Sequence, residues 1–163
     1  MTAPITYALV TYIQTELDIV VWDAEIPRQN TSGNAINKDA IVTPSVWPAV
    51  RAVIQEPGFN RAYQFGDAYD DTGTVKVQVW STTRASVQTA MDNIEELLAT
   101  NQSWLGISAL LGGPSVNPYY IIQMLLDSYW IGQEEELRID DSSLLYRADL
   151  SYMVQIHGAI AIY

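Results

Sequence analysis

TVKVQVWSTTRASVQTAMDNIEELLA, residues 74–99, contains the change of period that decides the fold. From Thr74 to Trp80 the residues alternate. Val75, Val77 and Val79 point one way and Lys76, Gln78 and Trp80 the other, as in a half-buried strand. Ser81, Thr82 and Thr83 then supply side-chain oxygens for a helix N-cap. Beyond them Val87, Ala90, Met91, Ile94, Leu97 and Leu98 recur at helical spacing, with Asp92, Asn93, Glu95 and Glu96 outside the stripe. A strand turning directly into an amphipathic helix places the helix on the apolar face of the sheet.

Working outward, Pro4–Leu17 has helical spacing at Ile5, Leu9, Tyr12, Ile13 and Leu17, with Pro4 suited to a first turn. Ile19–Trp22 is a β-branched run that predicts a strand. Residues 23–47, with Pro27, Gly33 and Pro44, predict a long loop. Pro48–Glu56 and Asn60–Asp67 predict strands, and the acidic DAYDDTG of Asp67–Gly73 predicts the turn before residue 74. A short helix is expected over Ser103–Leu111, stopped by Gly112-Gly113-Pro114. Tyr119–Ile131 predicts a strand, Gln133–Ser143 an acidic connection, and Leu144–Tyr163 a long closing strand. The expected fold is α+β: one domain over 1–163, with an antiparallel or mixed sheet and two main helices packed on one face.

Composition bounds the function. With 163 residues, one domain is expected, and 48% apolar residues are enough to fill a core. The net charge is −11, from 8 Lys and Arg against 19 Asp and Glu, which disfavours a grip on phosphates. The chain has no cysteine and one histidine, so thiolate chemistry and His-rich metal sites are not expected. No cofactor is expected. No 18-residue apolar run and no secretory leader are present, so neither a membrane span nor export is expected.

The search for chemistry gives little. No phosphate-binding glycine loop, dinucleotide fingerprint, zinc-helix motif or G-x-S-x-G elbow occurs. His157, opposite the most apolar face of the last strand, reads as a structural or surface histidine. Asp67, Asp70 and Asp71 fail the EF-hand register, since the third, sixth and twelfth positions are Tyr69, Thr72 and Gln78. Glu134, Glu135, Glu136, Asp140 and Asp141 read as a solvated acidic loop, which a ring of copies would multiply into a strong negative field. Trp80 stands out because it is placed on the polar face of its strand, where an aromatic marks an interface; Trp47, between Pro44 and Pro48, is a second candidate. The plainer reading has both covering the second face of the sheet.

Residues 74–99 resemble the strand–helix core of bacteriophage tail terminator and tail completion (head–tail joining) proteins. The resemblance lies in Val77, Val79 and Trp80, in the turn Ser81-Thr82-Thr83-Arg84, and in the helix ending Leu97-Leu98. The N-terminal helix, VVWDAEIPRQ at 20–29, the strand near Val50 and the terminal strand agree with that layout. The resemblance implies a structural virion protein without enzymatic activity, assembled in the host cytoplasm and located at the tail or neck. It implies a homo-oligomeric ring, typically a hexamer, that caps the tail tube protein, stops polymerisation and presents a surface to the head–tail connector. DNA passes through such a ring without specific binding. Asp67, Asp70, Asp71, Glu134, Glu135, Glu136, Asp140 and Asp141 are then candidates for the lumen wall. Trp47, Trp80 and Arg84, with the edge formed by the terminal strand, are candidates for the interface. The rival readings are another neck or head completion protein, a tail-tube relative, a small carboxylate-dependent hydrolase, and a cellular acidic adaptor.

Overall fold

The spine of the sheet is β4 (Ala68–Ser81), a strand of 14 residues. The structure is a computed structural model and describes residues 3–18, 21–23, 48–66, 68–111, 120–134 and 145–159. Two shorter strands share one side of β4. β2 (Ala49–Ile54) pairs antiparallel with its second half, Val50 opposite Val79, and β3 (Asn60–Phe65) with its first half, Arg61 opposite Asp71. They form one interrupted path. The break is a turn at Gln55–Gly58, where Gly58 adopts φ +91° and its N–H donates to the Gln55 carbonyl at 2.9 Å. Just past that turn, the Phe59 ring lies over Gly73, 2.7 Å from where a Cβ there would stand.

β6 (Tyr146–Ala159) pairs antiparallel along the whole other side of β4, and β5 (Tyr120–Gln133) pairs antiparallel with β6 at the edge. β1 (Val21–Asp23) lies parallel to β2. The order is β1-β2-β4-β6-β5, with β3 also on β4, so the sheet is mixed. The terminal strand is therefore interior, which corrects its expected place at an edge. β5 takes the edge instead.

Three helices contact the sheet: α1 (Ala3–Leu17), α2 (Arg84–Leu98) and α3 (Asn101–Leu111). Ile5, Leu9 and Ile13 of α1 are buried with Val87, Met91, Ile94 and Leu98 of α2 and Ile107 of α3, against Val50, Val75, Val77, Val79, Leu150, Val154 and Ile156 of the sheet. Each fully buried side chain of this size stabilises by about 1.5–3 kcal/mol relative to exposure. Thr83 is the N-cap of α2, its Oγ1 accepting from the Ser86 N–H at 3.2 Å. At the far end the Trp104 indole N–H donates to the Leu98 carbonyl at 2.7 Å, tying α3 to the last turn of α2. The Ile121 N–H donates to Ser108 Oγ at 2.7 Å, tying α3 to β5. The α+β single-sheet architecture matches the sequence reading, and α3 joins the two main helices.

Two boundaries differ from expectation. The strand expected from Thr74 begins at Ala68, so Asp70, Asp71 and Gly73 lie within a strand rather than an acidic turn. Gly66, at φ +61°, takes the turn position. Polar residues persist in this half of β4 because their carboxylates have partners across the sheet. The loop expected over 23–47 lies outside the described residues apart from Asp23, as do residues 19 and 20 of the strand expected at 19–22 and residues 160–163 of the closing strand.

Candidate functional site

The face of the sheet opposite the Val75, Val77 and Val79 side chains carries the even-numbered residues of β4 and the odd-numbered residues of β6. It holds two polar networks with an apolar strip between them.

The first network lies where β4 ends. Trp80 is only 2% exposed and Glu134 5%. The Trp80 indole N–H donates to Glu134 Oε2 at 2.7 Å, and Arg147 NH1 donates to the same oxygen at 3.0 Å. Arg147 Nε lies 3.1 Å from Asp149 Oδ1, an ion pair without hydrogen-bond alignment. Gln78 Nε2 donates to that same Asp149 oxygen at 3.1 Å and its Oε1 accepts from Arg51 Nε at 2.6 Å. The guanidinium of Arg51 stands 5.0 Å from the Trp80 ring, and that of Arg147 5.1 Å from the Trp130 ring. Two cations and two anions thus neutralise one another around a buried indole. Residues of β2, β4, β6 and the end of β5 are joined in one net. The Glu134 N–H also donates to the Leu145 carbonyl at 2.7 Å, closing the base of the connection from β5 to β6.

This arrangement corrects two expectations. Trp80 is not an exposed interface aromatic, because Arg51 and Glu134 enclose it. That outcome agrees with the plainer reading of a tryptophan covering the second face. Glu134 is not a solvated loop carboxylate, because an indole N–H and a guanidinium compensate its desolvation.

The second network lies at the opposite end. Asp70 Oδ1 is 2.7 Å from His157 Nδ1, and Asp70 Oδ2 accepts from Gln155 Nε2 at 3.1 Å. Gln155 Oε1 accepts in turn from Gln123 Nε2 at 3.1 Å. The row ties β4, β6 and β5 together. On the helix side of this region, the Arg61 guanidinium lies 3.6 Å from the Tyr69 ring and its Nε 3.2 Å from Asp71 Oδ1. Asp71 is buried. Asp70 and Asp71 are thus engaged across the sheet, which corrects their assignment to an acidic turn.

Between the networks run two rows, Lys76 with Ser151 and a strip of Thr74, Met153 and Leu125 in which Met153 and Leu125 are half exposed. A groove of about 280 Å³ runs beside it, lined in part by Pro57, Thr74, Gln123 and Met153. Ile122, Tyr129 and Trp130 on β5 and the stacked pair Tyr63 and Phe65 on β3, with ring centres 6.2 Å apart, add exposed apolar surface at the two margins. Arg84 is exposed as the first residue of α2. Trp47, Asp67, Glu135, Glu136, Asp140 and Asp141 lie outside the described residues. Among the described residues no group of three His, Asp or Glu side chains is placed to hold a metal ion, and no helix is long and apolar enough to cross a membrane.

No family model matches the chain, and no curated protein matches it.

Sequence reading missed Glu134 and Arg51 as partners of Trp80, with Arg147, Gln78 and Asp149 completing that network, and His157 and Gln155 as partners of Asp70, with Gln123 bonded to Gln155. Their period-2 placement was visible. Which strands lie side by side was not, and the networks depend on that.

Proposed function

We propose that this chain is a structural protein of a long-tailed bacteriophage virion, a ring-forming cap of the tail tube that ends tail polymerisation and offers a joining surface to the head connector. The observation that carries the reading is the unit formed by residues 74–99. Its valine face, its Thr83 cap and its helix stripe pack into one strand–turn–helix, the part of the chain that resembles tail terminator and tail completion proteins. The half-exposed apolar strip on the open face supports adhesion to other protein surfaces rather than bond-making. The net charge of −11 supports a lumen through which DNA slides without adhering. Asp70, Asp71 and Glu134 contribute little to such a wall, since their carboxylates are engaged within the sheet.

The test is genetic. Deleting the coding sequence from the phage that carries it is expected to give tails of uncontrolled length that fail to join heads, restored by supplying the chain in trans. Tails of normal length, joined to full heads in electron micrographs of the deletion lysate, would reject the reading.

A further inference from the structure

The two margins of the sheet fit each other. β3 runs antiparallel to β4, β4 to β6, and β6 to β5, so β3 and β5 run in opposite directions. Each lies at a margin of the sheet, β5 beyond β6 and β3 beyond the first half of β4, while β1 covers part of β2 along the other half. A rotation axis lying along the strands leaves their directions unchanged. Copies related by such an axis bring β5 of one copy beside β3 of the next in the antiparallel sense, which continues the hydrogen-bonded ladder.

The levels agree as well. Asn60, Arg61 and Tyr63 sit in the same rows as Gln123, Ile121 and Tyr120, through the pairs of Thr72 with Gln155, Asp71 with Ile156, and Asp70 with His157. Each edge carries a bulge within these rows, at Ala62 on β3 and at Ile122 on β5, so each presents four residues, 60–63 and 120–123, to the other. Exposed apolar side chains stand on both edges. All six residues of β3 are exposed, Tyr63 at 59% and Phe65 at 69%, and on β5 Ile122 is 43% exposed.

Charge points the same way. Arg61 is the one charged residue of β3 and Asp127 the one charged residue of β5. In a chain of net charge −11, these are margins where a second copy approaches without setting carboxylate against carboxylate. Asp127, at the bulge between Leu126 and Ser128, lies beyond the rows that face β3 and blunts the remainder of the edge.

We infer that β5 of one copy pairs with β3 of the next, a head-to-tail contact between copies of this chain. It deepens the ring reading above and relies on that reading only for closure of the contact into a cycle. The occupant of each edge is a second copy of the chain.

The experiment is sedimentation of the purified full chain over a wide range of concentration, with Tyr63→Lys and Ile122→Lys as variants. Both side chains are exposed, so unchanged circular dichroism and melting are expected; Phe65→Lys and Ile122→Asp replace any variant that fails this control. The wild-type chain is expected to self-associate, and each variant to do so about tenfold or more weakly. Mixing the variants leaves one intact β5 edge and one intact β3 edge, and so is expected to give a complex of two copies and no larger one. A wild-type chain that stays monomeric overturns the contact, as does a mixture that forms no pair. Wild-type oligomers that persist unchanged in both variants overturn the edge contact while leaving the ring reading to the deletion test.

Discussion

The two faces of β4 solve the same problem by different means. On the helix side Val75, Val77 and Val79 are fully buried among Ile, Leu and Val side chains from α1 and α2, and no directional bond is involved. On the other side Gln78 and Trp80 are also buried, but by charged and amide groups that satisfy one another. An apolar face tolerates small shifts of its parts. A polar net does not, since each missing partner leaves a buried donor or acceptor unmet. The comparison indicates that the helix face supplies most of the stability and the open face fixes the alignment of β2, β4, β6 and the end of β5.

Substitutions at four positions sharpen or break this contrast. The largest effect is expected on the helix side: Ile94→Ala, at a fully buried position of α2, should cost about 2–5 kcal/mol in urea unfolding. On the open face, Glu134→Ala should cost about 1–3 kcal/mol, because it removes the acceptor shared by Trp80 and Arg147. Glu134→Gln keeps an oxygen for the indole and should cost less. If Glu134→Ala proves as costly as Ile94→Ala, the two faces carry equal weight and the contrast fails. Thr83→Ala should cost about 1 kcal/mol by removing the cap of α2, with Thr83→Ser close to neutral in the same assay.

The smallest effect concerns Tyr152, whose buried hydroxyl has no hydrogen-bond partner among the described residues. Burial pushes its phenol well above the ordinary range, with the Glu95 carboxylate adding to the shift. As pH rises through the ordinary tyrosine value of about 10, the unfolded chain releases this proton while the folded chain retains it. The Tyr152 contribution to stability is therefore intact below about pH 10 and declines above it. Tyr152→Phe should leave stability unchanged or raise it by up to about 1 kcal/mol at neutral pH, and should flatten the alkaline decline. A Phe variant with the same decline would assign the alkaline loss to other groups.

The fold was legible wherever one period ran for two turns or more. Val75 to Val79 and Val87 to Leu98 announced their elements and their buried faces, as did Leu150 to Ile156. The limits of β4 were not legible, because Asp70, Asp71 and Gly73 are turn formers by local preference. Their partners, His157, Gln155 and Arg61, come from strands whose adjacency no local rule states. Trp80 shows the same limit. Period 2 placed it opposite the valines, yet its burial depends on Arg51, 29 positions before it, and Glu134, 54 positions after it. The site was therefore legible as a face and not as a set of contacts.

The seat of Phe59 on Gly73 has a consequence for any relative of this chain. A methyl group at 73 would stand inside the ring's own volume, and without the ring the glycine would leave a hollow above the longest run of the sheet. Neither position can drift alone. In divergent homologues, a side chain at 73 should come with a small residue at 59, so that two sites 14 positions apart change as one evolutionary unit.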